Sequence, residues 1–283
     1  MENPSEKDIE HRLRYERCLS SAIVELNTFG DKAVTKALGH ILSCSKASRI
    51  YIFQNFIEEN SYLFMRQVFE ICADNIEAQI GNEALQHVVY SKEGLERWQK
   101  YLSEGENIYG KIEDFPEEER TILEAQGIKS ILIIPIFVRG EWYGFIGFDD
   151  VLEGREWSKD DILLLQTFSQ MLGTFFERKA TEQKLRSKKE QFELAVRGSN
   201  DGIWDWDLHT NTLYLSERWK GMLGYTDAEL ENSFDTFLTL LHKDDKERVL
   251  QYVDEYLKGK HEKYDTEFRL RHKNGSYRWI RAR

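Results

Sequence analysis

Proline and cysteine are both scarce in this chain of 283 residues, which contains three of each. Three prolines are too few for a long proline-rich linker. Any boundary between domains must therefore be formed by a different kind of segment. The three cysteines are an odd number without a CxxC spacing, which excludes a disulfide framework and a zinc knuckle. We therefore expect reduced thiols that fill the core.

Long apolar runs are also missing. The longest, residues 131–138, spans eight residues and includes a proline, whereas a membrane-spanning helix needs about 20 apolar residues. The first 17 residues, MENPSEKDIEHRLRYER, are charged throughout. They lack the central apolar segment that a secretory signal peptide requires. The sequence therefore predicts a chain that lies in the cytoplasm and crosses no membrane.

Positive charge is in deficit, with a formal net charge of -11. This balance argues against a nucleic-acid partner, because such surfaces concentrate Lys and Arg. The sequence has no Walker loop, histidine-kinase phosphoacceptor segment, ATP-binding glycine box, GG[DE]EF loop or GxSxG elbow. Its seven histidines are scattered without ligand spacing. We expect no catalytic residue and no metal site.

The middle of the chain predicts a long helix. Residues 161–176 place Leu164, Phe168, Met171 and Phe175 at spacings of four, three and four, which puts them on one helix face. Residues 177–191 continue without a break and contain nine charged residues, one Leu and neither Gly nor Pro. This pattern favours a solvated helix between two domains, either as a weakly specified two-stranded coiled coil or as a single-helix spacer.

Before this helix, two strand pairs are predicted at residues 49–57 with 62–73 and 130–138 with 141–150. A polar turn at 58–61 joins the first pair, and Arg139-Gly140 joins the second. The strand ILIIPIFV is apolar on both faces, so helices must cover both sides of the sheet. The candidate helices are residues 5–28, 31–45, 93–104 and 116–126, with Pro116 expected at the first helical position of the last.

After the helix, residues 202–208 and 212–215 predict one hairpin, and residues 264–272 and 276–283 predict another around Asn274-Gly275. Short helices are expected between the hairpins. Ser216 caps the first of them, Thr226 and Glu229 form a capping box, and Asp244 caps a helix over residues 246–258.

Two stretches carry recognisable motifs. FPEEERTILEAQGIKSILIIPIFVRGEWYGFIGFDD, followed by REWSKDDILLLQTFSQMLGTFFERK, resembles the second half of a GAF domain of the kind found ahead of histidine kinases. This resemblance covers roughly residues 15–178, and its specific part is 115–178. GSNDGIWDWDLHTNTLYLSERWKGMLGY, LHKDDKERV and EFRLRHKNGSYRWIRAR together resemble a PAS domain whose first strand reads Trp-Asp-Trp-Asp, over residues 192–283.

The PAS resemblance implies five antiparallel strands in the spatial order 2-1-5-4-3, and only four are encoded before Arg283. The absent fifth strand would lie between residues 202–208 and 276–283, leaving unpaired backbone groups on both sides of a gap. We therefore expect a fragment of a longer protein. A stop codon directly after Arg283 would contradict this expectation.

The expected fold is α+β, with two antiparallel-sheet sensory domains joined by a long continuous helix. A GAF-like domain takes residues 1–178, a helical linker residues 179–195, and a PAS-like domain that lacks its last strand residues 196–283. The family cofactor signatures are missing, because residues 187–283 hold no cysteine for a flavin thioether and residues 73–130 hold none for a bilin. No cofactor is predicted, which leaves an unidentified small molecule as the candidate ligand.

An apolar pocket with a few polar groups is the expected site for such a molecule. In the GAF-like half it should lie under residues 93–110, lined by Trp98, Tyr101 and Tyr109, with Arg66 as an anion contact from the sheet. The alternative is that these aromatic side chains only fill the core.

In the PAS-like half the candidate ligand-binding residues are Trp204 and Trp219, which belong to an aromatic cluster that could equally be core or dimer contact.

The function expected from both resemblances is sensory input to a signal-transduction protein. A homodimer would form through the terminal helices of the GAF-like domain and the linker, and it would relay a signal to an output domain in the same polypeptide, of histidine-kinase or diguanylate-cyclase type. One alternative is a GAF-type thiol enzyme that reduces methionine sulfoxide with Cys44 and Cys72. A second alternative is a dimerisation scaffold without a ligand.

Overall fold

The computed structural model describes residues 6–28, 30, 32–57, 62–199 and 201–283. The chain divides into two units, the first ending at Lys184 and the second beginning at Leu185. The polar turn predicted at residues 58–61 lies outside the described residues.

One antiparallel sheet forms the centre of the first unit. Its strands are β1 (Arg49–Ile57), β2 (Leu63–Cys72), β3 (Val88–Val89), β4 (Ile108–Lys111), β5 (Ser130–Val138) and β6 (Glu141–Asp150). They lie in the order β3-β2-β1-β6-β5-β4. Both predicted strand pairs are present, and β1 and β6 join them at the centre of the sheet. The short edge strands β3 and β4 were not predicted, because two to four residues carry too little alternation to detect.

Helices cover both faces of this sheet, as its apolar strands require. The helices are α1 (Glu6–Asn27), α2 (Ala33–Ser45), α3 (Glu96–Ser103), α4 (Glu117–Glu124) and α5 (Lys159–Ser199). Leu38 and Ile41 of α2 and Phe168 of α5 belong to one core on one face. Trp98 and Leu102 of α3 belong to a separate core on the other face.

Helix α5 is continuous over 41 residues and runs from the first unit into the second. It begins with the predicted capping pair, in which the Asp161 amide donates to Ser158 Oγ at 3.1 Å and the Ser158 amide donates to Asp161 Oδ2 at 3.2 Å. Among the described residues, no helix combines the length and the apolar character that a bilayer crossing requires. Pro116 is the residue before α4 and not its first helical position.

The second unit is built from two hairpins and several short helices. Its elements are β7 (Trp204–Asp207), β8 (Thr212–Leu215), α6 (Glu217–Met222), α7 (Phe234–Leu240), α8 (Lys243–Leu257), β9 (Thr266–Arg271) and β10 (Tyr277–Ala282). Strands β8 and β9 direct Leu213, Leu215, Phe268 and Leu270 into one shared core. Within the described residues, β7 pairs only with β8 and β10 only with β9.

The predicted cap of α8 was wrong by two residues. His242, not Asp244, is the residue before the helix, and its Nδ1 accepts a hydrogen bond from the Asp244 amide at 3.2 Å. Asp244 and Asp245 lie in the first turn, where carboxylates are stabilised by the helix dipole. The sequence rule for caps favours Asp over His, which explains the error.

Candidate functional site

One buried carboxylate joins helices α3 and α4. Both helices lie on the face of the sheet that carries the Trp98 and Leu102 core, which is called the inner face below. The Glu119 side chain of α4 is 2% exposed and accepts hydrogen bonds from Arg97 Nε at 2.7 Å and from Trp98 Nε1 at 2.8 Å. Both donors belong to α3, so one carboxylate fixes α3 to α4 over the sheet. A charged group at this depth is stable only because it is hydrogen-bonded and paired.

Trp98 is the one predicted pocket residue of the first unit that reaches this inner core. Its ring contacts the edge of Phe145, with centroids 6.0 Å apart. Tyr101 and Tyr109 are 37% and 53% exposed. Arg66 is also exposed, and its guanidinium lies over the Phe56 ring, 4.7 Å from the centroid. Trp98 is therefore buried while the other three side chains are exposed, and the pocket under residues 93–110 stays a prediction.

Different polar groups lie on that inner face, and sequence reasoning missed them. Gln67 is 4% exposed, and its Oε1 has no hydrogen-bond partner among the described residues; the same holds for the buried Nε1 of Trp142. Tyr90 donates to Asn55 Oδ1 at 2.9 Å. Gln67 pairs across the sheet with Phe53 of the inner core, so its side chain shares that face. The sequence signal that could have located Gln67 is a polar residue at an inward-facing position of β2, where the preceding inward-facing residue, Met65, is apolar.

An ion pair is buried where β1 and β6 meet. Arg49 Nη2 lies 3.0 Å from Asp149 Oδ2, and both side chains are nearly inaccessible to solvent. Arg49 also donates to the Gln126 carbonyl oxygen at 3.0 Å. Burial raises the pKa of Asp149 to about 6 despite the opposing effect of Arg49. The pair joins the sheet to the turn that follows α4, which is a structural role.

The thiol-enzyme alternative receives no support from these positions. Cys44 is buried, and burial raises the pKa of its thiol well above the ordinary value. Burial also raises the pKa of Cys72, to about 11. A raised pKa keeps a thiol protonated, whereas nucleophilic chemistry needs the thiolate. Within the described ranges, no group of three His, Cys, Asp or Glu side chains could hold a metal ion.

A cavity of about 580 Å³ lies in the second unit, and Trp204 and Trp219 both line it. Its walls include Trp206, whose ring is stacked on Phe234 at 4.6 Å between centroids. Residues of β7 and of β10, Trp279 among them, also line the cavity. The lining thus comes from both hairpins and from the helices between them, and nine of its 22 residues are aromatic.

Comparison with known families agrees with this architecture. The model of the GAF domain family matches residues 33–175, which is half of the chain, and the model described as PAS fold matches residues 212–283. The first match covers the six-stranded sheet and most of its helices, and the second begins at β8.

Among curated proteins, the chain is similar to the methanogenesis regulatory histidine kinase FilI of Methanothrix harundinacea, with 37% identity over 59% of this chain and 18% of that protein. It is also similar to the sensor protein FixL of Bradyrhizobium diazoefficiens, with 35% identity over 33% of this chain and 18% of that protein. The matched part is thus less than a fifth of either relative.

A solved structure shares the fold of the first unit. The phycoerythrobilin-bound GAF domain from a cyanobacterial phytochrome superposes with a TM-score of 0.51 at 14% identity, covering 60% of this chain and 98% of that domain. At this identity the likeness concerns the fold alone. The six-stranded sheet, the family match over residues 33–175 and the downstream PAS fold lead to one assignment: the chain belongs to the GAF domain family and carries a PAS fold after its long helix.

Proposed function

We propose that this chain is the sensory input part of a cytoplasmic signal-transduction protein, and that α5 passes the state of the GAF domain to the PAS fold. The observation that carries the proposal is the continuity of α5. Its first part contributes Leu165, Phe168 and Leu172 to the GAF core, and the same helix reaches the second unit without a break. A change in core packing can therefore rotate or shift the linker, a coupling that the matched families support by analogy.

The whole protein is proposed to be a sensor histidine kinase. FilI, named a histidine kinase, and FixL, named a sensor protein, match this chain over only part of their length, which leaves room in each for an output domain. A diguanylate cyclase is the second candidate for the output, and neither relative's name supports it.

A second copy of the chain is the proposed partner. Apolar side chains are exposed along both terminal helices of the GAF domain and along the linker: Leu13, Val24, Leu163, Leu185 and Phe192. Leu185 and Phe192 are seven residues apart, which places them on one side of α5. Exposed apolar groups in such a row favour a helical dimer interface. We expect Leu185→Glu with Phe192→Glu to convert a dimer into a monomer in analytical ultracentrifugation, while Lys184→Glu, a neighbouring exposed position, leaves it dimeric.

The proposed signal is a small molecule held on the inner face of the GAF sheet. The unpaired Gln67 Oε1 and Trp142 Nε1 support this location, because buried polar atoms without partners are costly unless a ligand or water satisfies them. Trp98 lies in the same core. The cavity beside Trp204 and Trp219 is a second candidate, in the part of it that the strand proposed below would leave open. A ligand-free scaffold is the alternative, and native mass spectrometry of the purified chain separates the two by the presence of an added mass.

For the PAS fold, we propose that a further extended strand fits between β7 and β10. Both strands line the 580 Å³ cavity, and each has one edge unpaired among the described residues. An inserted strand would satisfy both rows of backbone groups and bury apolar side chains against Trp206 and Ile280.

The proposed transmission from the GAF domain to the PAS fold is tested by changing the helical phase of α5, that is, the rotation of the downstream residues about the helix axis. Inserting two residues after Ala180 rotates everything downstream by ~200° at 3.6 residues per turn, whereas seven inserted residues restore the phase to within ~20°. In the full-length kinase we expect the two-residue insertion to abolish regulated autophosphorylation and the seven-residue insertion to retain it. Normal regulation after the two-residue insertion would exclude the relay.

A further inference from the structure

A second concave site lies entirely within the first unit. It is a groove of about 360 Å³ bounded by the loop before β4, the outer part of β5 and one side of α5. Strand β4 pairs with β5 only as far as Ile108 and Ile133. Beyond that point β5 has no neighbour on this edge in the described residues, and the groove occupies the space.

Two contacts between α5 and β5 form the floor of the groove. Ser169 of α5 donates a hydrogen bond to the Pro135 carbonyl oxygen at 2.7 Å. One turn later, a Cβ at Gly173 would lie 2.3 Å from the Phe137 carbonyl oxygen, so only glycine permits this approach. The carbonyl groups on the outer edge of β5 therefore point toward α5. The two contacts fix the distance between the strand and the helix, and so fix the floor of the groove.

Carboxamides supply the polar lining. Asn107, from the loop before β4, and Gln166 and Gln170, from α5, all line the groove. Asn107 Oδ1 is buried and has no hydrogen-bond partner among the described residues. Gln166 and Gln170 each offer both donors and an acceptor, and Asn107 adds its amide donors, so together they suit a ligand that also carries both.

The charge of the groove is balanced. The cation and the anion in its lining, Arg139 and Glu177, face each other with Nε and Oε1 3.5 Å apart. The paired charges leave no net charge in the lining to favour an anionic or a cationic ligand. Pro135 and Phe137 provide an apolar wall, and the Phe137 side chain is 36% exposed.

We propose that this groove binds a small neutral polyhydroxylated ring, such as a monosaccharide or a cyclitol. The ring hydroxyls would pair with Asn107, Gln166 and Gln170, and one apolar ring face would lie on Phe137. The volume is at the lower end of the range of about 300 to 1,000 Å³ for ligand clefts, which suits a single ring. This site is separate from the inner face of the GAF sheet, and it depends neither on the dimer nor on an output domain.

The test is a titration of the full ¹⁵N-labelled chain with D-glucose, D-galactose and myo-inositol, followed through the side-chain NH₂ signals of Asn, Gln and their variants. We expect at least one of these probes to shift the signals of Asn107 and Gln170 in a saturable way. Gln170→Ala and Asn107→Ala should each weaken binding at least about tenfold, the loss of one hydrogen bond that leaves its partner unpaired. Gln183→Ala, an exposed carboxamide further along α5, should leave binding unchanged.

Three outcomes would overturn the proposal. The first is the absence of a shift with all three probes. The second is an unchanged response in Gln170→Ala and Asn107→Ala variants whose backbone spectra match the parent chain. The third is a response to acetate or ammonium ions in place of the neutral rings. None of these depends on kinase regulation, so failure here leaves the proposed sensory function intact.

Discussion

The hydroxyl group of Tyr15 in α1 donates a hydrogen bond to Asp161 Oδ1 at the start of α5, over 2.8 Å and 146 residues of sequence. Near the other end of α1, Arg178 Nη2 of α5 donates to the Leu26 carbonyl oxygen at 2.9 Å. Since both residue numbers increase together, the two helices run parallel. The first helix therefore fixes α5 at two points before the linker begins.

Replacing Tyr15 by Phe tests the first of these points. The substitution keeps the buried ring and removes the hydroxyl group, so we expect the free energy of unfolding of the first unit to fall by about 1 kcal/mol. Urea unfolding followed by circular dichroism measures it. Tyr101→Phe, at an exposed position, is the control and should change little. Equal stability of the Tyr15→Phe and parent chains would show that the hydrogen bond contributes nothing.

Loss of the Glu119 carboxylate is expected to lower the free energy of unfolding more than loss of the Tyr15 hydroxyl group, because the side chains of Arg97 and Trp98 both donate to it. Glu119→Ala leaves the Trp98 indole NH buried without its acceptor and Arg97 without its carboxylate. We expect a loss of about 2 to 3 kcal/mol and faster hydrogen exchange of the α3 amides, residues 96–103. Glu117→Ala, an exposed neighbour on the same helix, provides the comparison. Unchanged exchange in α3 would mean that packing alone holds it to α4.

The sequence predicted most of the architecture, because strong local signals coincide with the main elements. ILIIPIFV is apolar on both faces and became a strand covered on both sides. The Ser158 and Asp161 pair predicted the start of α5, and the charged residues 177–191 predicted its continuation. Strands β3 and β4 could not be predicted, since their existence depends on pairing with distant strands and not on their own residues.

The candidate site was less predictable. Aromatic content pointed to Tyr101 and Tyr109, but composition does not state which side of an element a side chain occupies. The register of β2 against β1 shifts between Ile52 and Phe53, so a simple alternation count along these strands loses its phase. Arg66 and Gln67 differ by one position, and only the tertiary pairing decides which of them is buried.

The buried Asp149 predicts an unusual pH dependence. Burial raises its pKa to about 6 from an ordinary value of 3.8. The folded state then binds the proton more tightly than the unfolded state between these values. The contribution of Asp149 to the free energy of unfolding therefore falls as pH rises from about 4 to about 6 and is constant above that range.

Comparing Asp149→Asn with the parent chain isolates this effect from the other carboxyl groups. Between pH 4 and pH 6, the unfolding free energy of the parent should fall relative to that of the variant by roughly 3 kcal/mol, the equivalent of about two pKa units. Asp160→Asn, an exposed carboxylate at the start of α5, should show no such divergence. If the difference instead grew in favour of the parent with rising pH, Arg49 would outweigh burial and hold the pKa of Asp149 low.

Two glycines of α5 give a matched pair of substitutions on one helix. A Cβ at Gly173 would collide with the Phe137 carbonyl oxygen at 2.3 Å, whereas a Cβ at Gly198 has nothing within 4 Å among the described residues. Gly173→Ala must push α5 away from β5, so we expect the first unit to lose about 1 to 3 kcal/mol. Gly198→Ala should be neutral or add up to about 1 kcal/mol, because Ala has the higher helix propensity. Thermal unfolding measures both. A neutral Gly173→Ala would contradict the close approach that shapes the groove, since it would show that α5 and β5 leave room for a Cβ at this point.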